Sequence, residues 1–310
     1  MMLAPMADVT DAAFRELIAK YGKPDVMWTE FVSADGLNSV GRDKLLIDFK
    51  YGQAERPIVA QIFSSKPDSI FEASKLIKNL GFDGIDINMG CPDKSICQQG
   101  CGAAMMKNVS LAKAVIRAAV EGGGGLPVSV KCRLGYTKKE EIEKFLPKIL
   151  QEKIECMTIH ARTKKEMSKV PADWNWISRA VEIRNELGSQ ALIAGNGDVE
   201  NLDQAYQRVK ETGCDGVMIG RGIFGNPWLF NKNKDVKDIP LHERLEVAIE
   251  HTYLFEKYFK DIKSFAIMKK HFKAYINGFD GAKELRTKLM ENATNAYEVE
   301  GIIRKFMKTL

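Results

Sequence analysis

Short apolar, β-branched runs alternate with longer amphipathic stretches throughout residues 1–230. The runs fall at 2–5, 25–31, 57–62, 84–88, 127–133, 156–160, 191–194 and 216–219. Helical periodicity occupies 11–21, opened by Asp11 as a cap, and then 68–80, 110–121, 138–152, 174–187 and 200–212. Parallel neighbours need a crossover between them, usually a helix, so this alternation reads as βα units. Eight such units predict an α/β fold, a TIM (β/α)8 barrel. The connection 33–56 is long and low in helix signal, with room for a ninth strand or a hairpin. After Pro227-Trp228 the pattern changes: 231–240 is polar and linker-like, and everything beyond reads as helix. The expected organisation is a catalytic barrel over 1–236 and a small helical bundle over 237–310. That bundle should have about four helices, broken at Gly278, Gly281 and Gly301.

The six cysteines, at 91, 97, 101, 132, 156 and 214, are scattered and do not form a disulfide framework. Cys132, Cys156 and Cys214 lie in apolar strand-like runs, as small core residues do. The spacing of Cys91, Cys97 and Cys101 fits no metal-ligand pattern and their loop holds no His, so no metal is expected. No apolar run reaches the roughly 18–20 residues of a membrane span, and the first residues lack the features of a signal peptide. A cytoplasmic protein with no membrane partner, and a monomer, is the expectation. Only Met1-Met2 precede Leu3, so either the first strand is short or the native start lies upstream.

The formal charge of +5 is unevenly spread, because 256–288 carries nine Lys/Arg against four acids. Phe259, Phe265, His271, Phe272 and Tyr275 are interleaved with these charges. Such a segment fits either a solvated helical face over a core or a surface for nucleic-acid backbone, and charge alone favours the first.

In a barrel of this kind the chemistry sits on the loops after the strands' C-terminal ends. Those positions hold Ala4-Pro5-Met6, Gln61, Asn88 with Cys91, Lys131 with Arg133, His160 with Arg162, Gly195-Asn196-Gly197-Asp198 and Gly220-Arg221-Gly222. Cys91 follows a strand and opens a Gly-rich loop, which puts a thiol at the mouth of a pocket and makes it the first catalytic candidate. The last two Gly-rich loops, with Arg221 for charge, point to a phosphate, since backbone N–H groups can approach it closely there. Lys131 and His160 end adjacent strands, where a cation could stabilise negative charge on a reduced cofactor ring.

The motifs Ala4-Pro-Met-Ala-Asp-Val-Thr-Asp11, Asn88-Met-Gly-Cys-Pro-Asp-Lys94, Val130-Lys-Cys-Arg-Leu-Gly135, Thr158-Ile-His-Ala-Arg-Thr163, Ala172-Asp-Trp174, Gly195-Asn-Gly-Asp198 and Ile219-Gly-Arg-Gly-Ile-Phe-Gly-Asn-Pro-Trp228 resemble those of tRNA-dihydrouridine synthases. The resemblance runs from the first strand to the last, and the segment Met268-Lys-Lys-His-Phe272 is similar to the bacterial B-type members. It implies a flavoenzyme that takes hydride from NADPH onto FMN and passes it to C6 of a uridine in the tRNA D-loop. By motif position Cys91 would protonate C5 and Asn88 would help hold the uracil. Ala4, Pro5 and Met6 would line the flavin, with Gln61, Lys131 and His160 contacting its ring. Asn196, Gly197, Asp198, Gly220 and Arg221 would form the phosphate end of the site, and Arg133 and Arg162 would face the substrate. With a tRNA substrate, the basic segment becomes an expected RNA contact through Lys269, Lys270 and Lys273.

Three positions depart from the family pattern. Asp8 stands where Gly is usual, Ser168-Lys-Val-Pro171 replaces an aromatic and a Gly, and Cys97-Gln-Gln99 replaces a stretch where basic residues are common. The alternatives are an FMN-dependent reductase of a free pyrimidine, which would need no basic tail, and a catalytically idle RNA-binding barrel. The latter would have lost Cys91, Lys131 or His160, and all three are present.

Overall fold

The computed structural model describes residues 1–310. Its eight strands are β1 (Met2–Leu3), β2 (Met27–Ser33), β3 (Ile58–Phe63), β4 (Gly84–Met89), β5 (Val128–Arg133), β6 (Cys156–His160), β7 (Leu192–Asn196) and β8 (Gly216–Ile219). Every ladder is parallel, in the order β1-β8-β7-β6-β5-β4-β3-β2. The bridge Met2↔Val26 and the 3.2 Å bond from Leu3 N–H to the Val26 carbonyl bring β1 against the start of β2, so the sheet curls into a barrel.

The helices lie outside, and their apolar faces explain the strands' composition. On β4, Ile85, Ile87 and Met89 join the apolar core, whereas Asp86 and Asn88 meet Gln61 of β3 and Ser129 of β5. This period-two split sends polar groups to the barrel axis. Asp11 caps helix Ala12–Tyr21 by accepting from Phe14 N–H at 2.9 Å, as its position in the sequence predicts. The connection after β2 contains no extra strand. It is built of short helices Ala34–Leu37 and Arg42–Leu45 followed by single 3₁₀ turns at Leu46–Phe49 and Gln53–Glu55.

Beyond β8 come four helices, Leu241–Phe259, Met268–Tyr275, Ala282–Asn292 and Ala296–Met307. Gly278 and Gly281, both at positive φ, separate the second from the third. Gly301 corrects the expectation: it lies inside Ala296–Met307, where the cost of a helical glycine, about 1 kcal/mol, is outweighed by packing. The break before that helix is made instead by Asn295, whose side chain accepts from Glu298 N–H at 2.9 Å. No helix is long and apolar enough to cross a membrane.

The tail packs on the barrel through apolar and charged contacts alike. One core of 75 buried residues runs from Leu3 to Ile303 without a gap at the junction. Phe14 stacks on His251 at 4.8 Å and meets His271 at 4.9 Å. Lys257 pairs with Glu16, and Lys263 with Glu30 and Asp48. Lys270 donates to the Asp8 carbonyl at 2.7 Å, Lys269 to the Met290 carbonyl at 2.7 Å, and Arg286 to the Ile276 carbonyl at 2.6 Å. Over half of the basic segment's cations therefore have partners within the chain, while Lys260, Lys273, Lys283 and Lys288 remain exposed.

Candidate active site

The strand-end loops surround a cavity of about 860 Å³ at the barrel's C-terminal mouth, at the large end of ligand-pocket sizes. It is lined by Ala4, Pro5, Met6, Gln61, Asn88, Cys91, Lys131, Arg133, His160, Arg162, Asn196, Gly197, Asp198, Gly220 and Arg221. Lys269, Lys270 and Lys273 lie apart on the tail helix. Phe31, which also lines the cavity, escapes sequence reading because an aromatic within a strand looks like core, and Phe224 joins the lining from just past the 3₁₀ turn Arg221–Ile223.

Cys91 is held by its backbone. Its N–H and that of Gly90 both donate to Asn88 Oδ1, at 2.8 and 3.0 Å, and its carbonyl accepts from Ala103 N–H at 2.9 Å. Gly102, at φ +56°, permits the closure, since a Cβ there would stand 2.7 Å from the Cys91 carbonyl oxygen. Burial pushes the half-buried thiol's pKa up, with the nearby Asp93 adding to the rise and its backbone N–H and Arg133 opposing it. The group is therefore a thiol at neutral pH and can donate a proton.

Asn88 Nδ2 donates to Gln61 Oε1 at 3.0 Å, and Gln61 Nε2 donates in turn to Asp86 at 2.5 Å. Asp86 also accepts from Ser129. This chain fixes which way each amide points. Burial lifts the Asp86 carboxyl to about 6, against the hydrogen bonds from Ser129 and Gln61 and the charge of Lys131. Asp86 lies within an apolar run and gives no sequence signal of this role.

Lys131 donates to Asn196 Oδ1 at 3.2 Å, and Asn196 Nδ2 donates to the Met218 carbonyl at 2.7 Å. Burial, then the Arg133 charge, lowers Lys131 to about 8, with Asp86 pulling it back. His160 is neutral: burial and the cations Lys131, Arg133, Arg162 and Arg221 hold it well below its ordinary value. Because Arg162 Nη1, 3.1 Å away, can only donate, His160 Nε2 accepts and Nδ1 carries the hydrogen.

The two buried arginines are satisfied by the protein. Arg133 donates to the carbonyls of Gly90, Thr163 and Met167, and Arg162 to the Val170 carbonyl and to Asp198. They thereby hold the loops after β4 and β6, including the divergent 168–171 stretch. Asp198 also pairs with the exposed Arg221 at 2.7 Å and sits at φ +50°. Asp8, at φ +53°, likewise keeps the left-handed backbone that a glycine would take, a region Asp tolerates.

Gly195 makes room for a neighbouring ring. A Cβ there would stand 2.2 Å from the Trp174 ring, whose Nε1–H donates to the Gly197 carbonyl at 2.9 Å. Gly195→Ala should destabilise the fold by about 1–3 kcal/mol, read as a lowered urea midpoint; an unchanged midpoint would show that the indole moves aside freely.

The donor set suits a flavin mononucleotide. Lys131 has three N–H donors and one amide acceptor, leaving charge and hydrogen-bonding capacity directed at the cavity. Arg221 and the Gly197, Gly220 and Gly222 backbone lie where barrels of this type take phosphate.

The family model for dihydrouridine synthase (Dus) matches residues 2–309. A probable tRNA-dihydrouridine synthase of Staphylococcus aureus (strain MRSA252) is 38% identical over 98% of this chain and 92% of its own length. Probable tRNA-dihydrouridine synthase 2 of Bacillus subtilis (strain 168) is 38% identical over 98% of this chain and 93% of its own. Among solved structures, histamine dehydrogenase from Rhizobium sp. 4-9 superposes with a TM-score of 0.58 at 13% identity, covering 82% of this chain and 48% of that one. Morphinone reductase in complex with tetrahydroNAD superposes with a TM-score of 0.52 at 11% identity, covering 74% and 84%. These two share the barrel fold. With the family's model matched from the first strand to the last helix, and full-length relatives at 38% identity, the chain belongs to the dihydrouridine synthase family and is a flavin-dependent oxidoreductase.

Proposed function

We propose that this protein reduces the 5,6 double bond of a uridine in the D-loop of tRNA, with FMN bound in the barrel mouth and NADPH as reductant. The observation that carries the reading is a half-buried Cys91 on the rim of a cavity whose interior presents Lys131, Gln61, His160 and Asn196. Reduced FMN held there would supply hydride to C6 of the uracil ring. Cys91 delivers the proton to C5 on the other side of the bond, and a thiol raised above its ordinary pKa is in the right state for that. Asn88 orients the Cys91 loop through Oδ1 and keeps one amide N–H for the uracil.

Ala4, Pro5 and Met6 form an apolar wall for the ring system, and Gln61 and neutral His160 offer it fixed polar groups. Lys131 holds positive charge beside it. Asn196 positions Lys131, while Gly197, Gly220 and Arg221 take the phosphate and Asp198 fixes Arg221. Arg133 and Arg162 hold the loops that face the substrate. A uridine must leave its stack to reach this depth, so tRNA needs a wide hold. The exposed tail cations, Lys273 among them, and the remaining donors of Lys269 and Lys270 suit part of it.

Anaerobic reduction with NADPH, followed by unmodified tRNA or by free uridine, tests the reading. Fast flavin reoxidation by tRNA alone is the expected result. Reoxidation by the free nucleoside alone would replace it with a reductase of free pyrimidines.

The Lys131 charge also predicts a pH profile. Its proton is lost as pH rises through about 8, so the rate of flavin reduction by NADPH should fall across that range. Lys131→Arg should remove the alkaline limb, and a limb that persists in that variant would assign it to another group.

A further inference from the structure

A second, smaller cleft of about 260 Å³ lies outside the mouth, beside Tyr136 in the loop after β5. Its apolar base is Met106, Val109 and Phe145, and Lys107, Lys144 and Lys148 stand around it. The Lys107 ammonium lies 4.2 Å from the Tyr136 ring centroid and that of Lys164, from the loop after β6, lies 5.1 Å away. The two loops are tied together, with Lys164 N–H on the Gly135 carbonyl at 2.8 Å and Lys165 N–H on the Tyr136 carbonyl at 3.0 Å.

Lys107, Lys144, Lys148 and Lys164 have no carboxylate partner. The ion pairs of this side go to Lys113, with Glu152, and to Lys139, with Glu166 and Asp173. The one acid in the cleft, Glu141, is committed to the loop. It accepts from the N–H groups of Tyr136, Thr137 and Lys138 and from the Thr137 hydroxyl. Two unpaired ammonium groups against one aromatic ring, with two more along the cleft, repel one another, and the ring's negative face offsets this only in part. An anion in the cleft relieves it, and the potential there draws one in.

The location decides which anion. Met106, Lys107 and Val109 of the segment after β4, Tyr136 and Thr137 of the loop after β5, and the helix Glu141–Ile149 form the cleft, and that loop continues directly from Arg133, which lines the cavity. The tail docks through Asp8, after β1, and Glu30, on β2. In an eight-stranded barrel β5, whose loop carries Tyr136, lies diametrically opposite β1. The cleft and the tail therefore stand on opposite banks of the mouth.

We infer that the Lys107–Tyr136–Lys144–Lys148–Lys164 cleft binds backbone phosphate of the RNA whose uridine enters the mouth, as a second anchor facing the tail. This rests on the tRNA reading above. An RNA held on both banks is fixed in place while one nucleotide is turned inward, and the exposed part of the Tyr136 ring gives a neighbouring base a surface to stack on.

The test compares two triple variants of the FMN-loaded protein. Lys107→Gln/Lys144→Gln/Lys148→Gln neutralises the cleft. Lys23→Gln/Lys153→Gln/Lys210→Gln removes the same charge from exposed positions at the other end of the barrel. The readouts are the affinity for an unmodified tRNA transcript over a salt series, and flavin reduction by NADPH alone. The cleft variant should bind about tenfold more weakly at about 150 mM salt, with the log–log salt slope shallower by about 1–2. Its NADPH reaction should match wild type, and the control triple should keep the slope.

Wild-type affinity and slope in the cleft variant, with wild-type protein binding tRNA normally, would overturn the anchor and leave the tRNA reading standing. Equal losses in both triples would also overturn it, as a general charge effect. Wild-type protein that fails to bind tRNA would remove the reading and the anchor together.

Discussion

Cys91→Ala should lower reduction of uridine in tRNA by about 10²- to 10⁴-fold while FMN binding and flavin reduction by NADPH stay at wild-type levels. The split follows from the geometry. The loop's course is set by main-chain atoms of Cys91 and by the Asn88 side chain, none of which the substitution removes. Gly102 passes next to Cys91, so losing one sulfur atom leaves the closure of 91–103 in place. What disappears is the proton donor. The groups proposed to meet the flavin lie on β3, β5, β6 and β7 and just after β1 and β8, away from the thiol's loop. The measurement is stopped-flow in two halves, flavin reduction by NADPH and then reoxidation by unmodified tRNA. A normal second half in the alanine variant would take Cys91 out of the chemistry, and a loss in the first half would give it a cofactor role instead.

The parts of this site that could be read from sequence are those whose function depends on position along a strand. Cys91, Lys131 and His160 each stand at or just past the end of an apolar run, and the barrel brings such ends together whatever joins them. Features set by distant side chains were not legible. Asp86 looks like an interruption in an apolar strand until Gln61 and Ser129, from both neighbouring strands, are seen to converge on it. Gly195 and Gly197 look like a pair of phosphate glycines, yet the first makes room for the Trp174 indole. The basic count of 256–288 likewise overstated the charge available to RNA. Lys257 and Lys263 are spent on barrel carboxylates that no local pattern assigns to them.

The connection after β2 is the clearest such case, and it yields a stability prediction of comparable size. Its periodicity is weak because its order is imposed from outside, by Arg15 in helix Ala12–Tyr21. Arg15 donates to Glu55 at 2.6 Å, to the Thr10 carbonyl at 2.7 Å and to the Lys50 carbonyl at 2.6 Å, while Glu55 also accepts from Gly52 N–H. Both charged side chains are fully buried, at 0% exposure. Arg15→Met would leave a carboxylate and two carbonyls without their partner, in a place water does not reach. The expected cost is about 3–5 kcal/mol, seen as a lowered urea midpoint. Arg15→Met/Glu55→Met should recover most of it, because removing both charges also removes the desolvation that the single variant leaves uncompensated.

The damage should extend to the tail as well. Asp48, which receives Lys263 at 2.6 Å, lies on the same connection. Limited proteolysis of Arg15→Met should therefore cut sooner both within 33–56 and around Lys260 and Lys263. A single variant within about 1 kcal/mol of wild type would mean that the connection is ordered by its apolar residues, Ile47 and Phe49, and that the buried pair contributes only specificity.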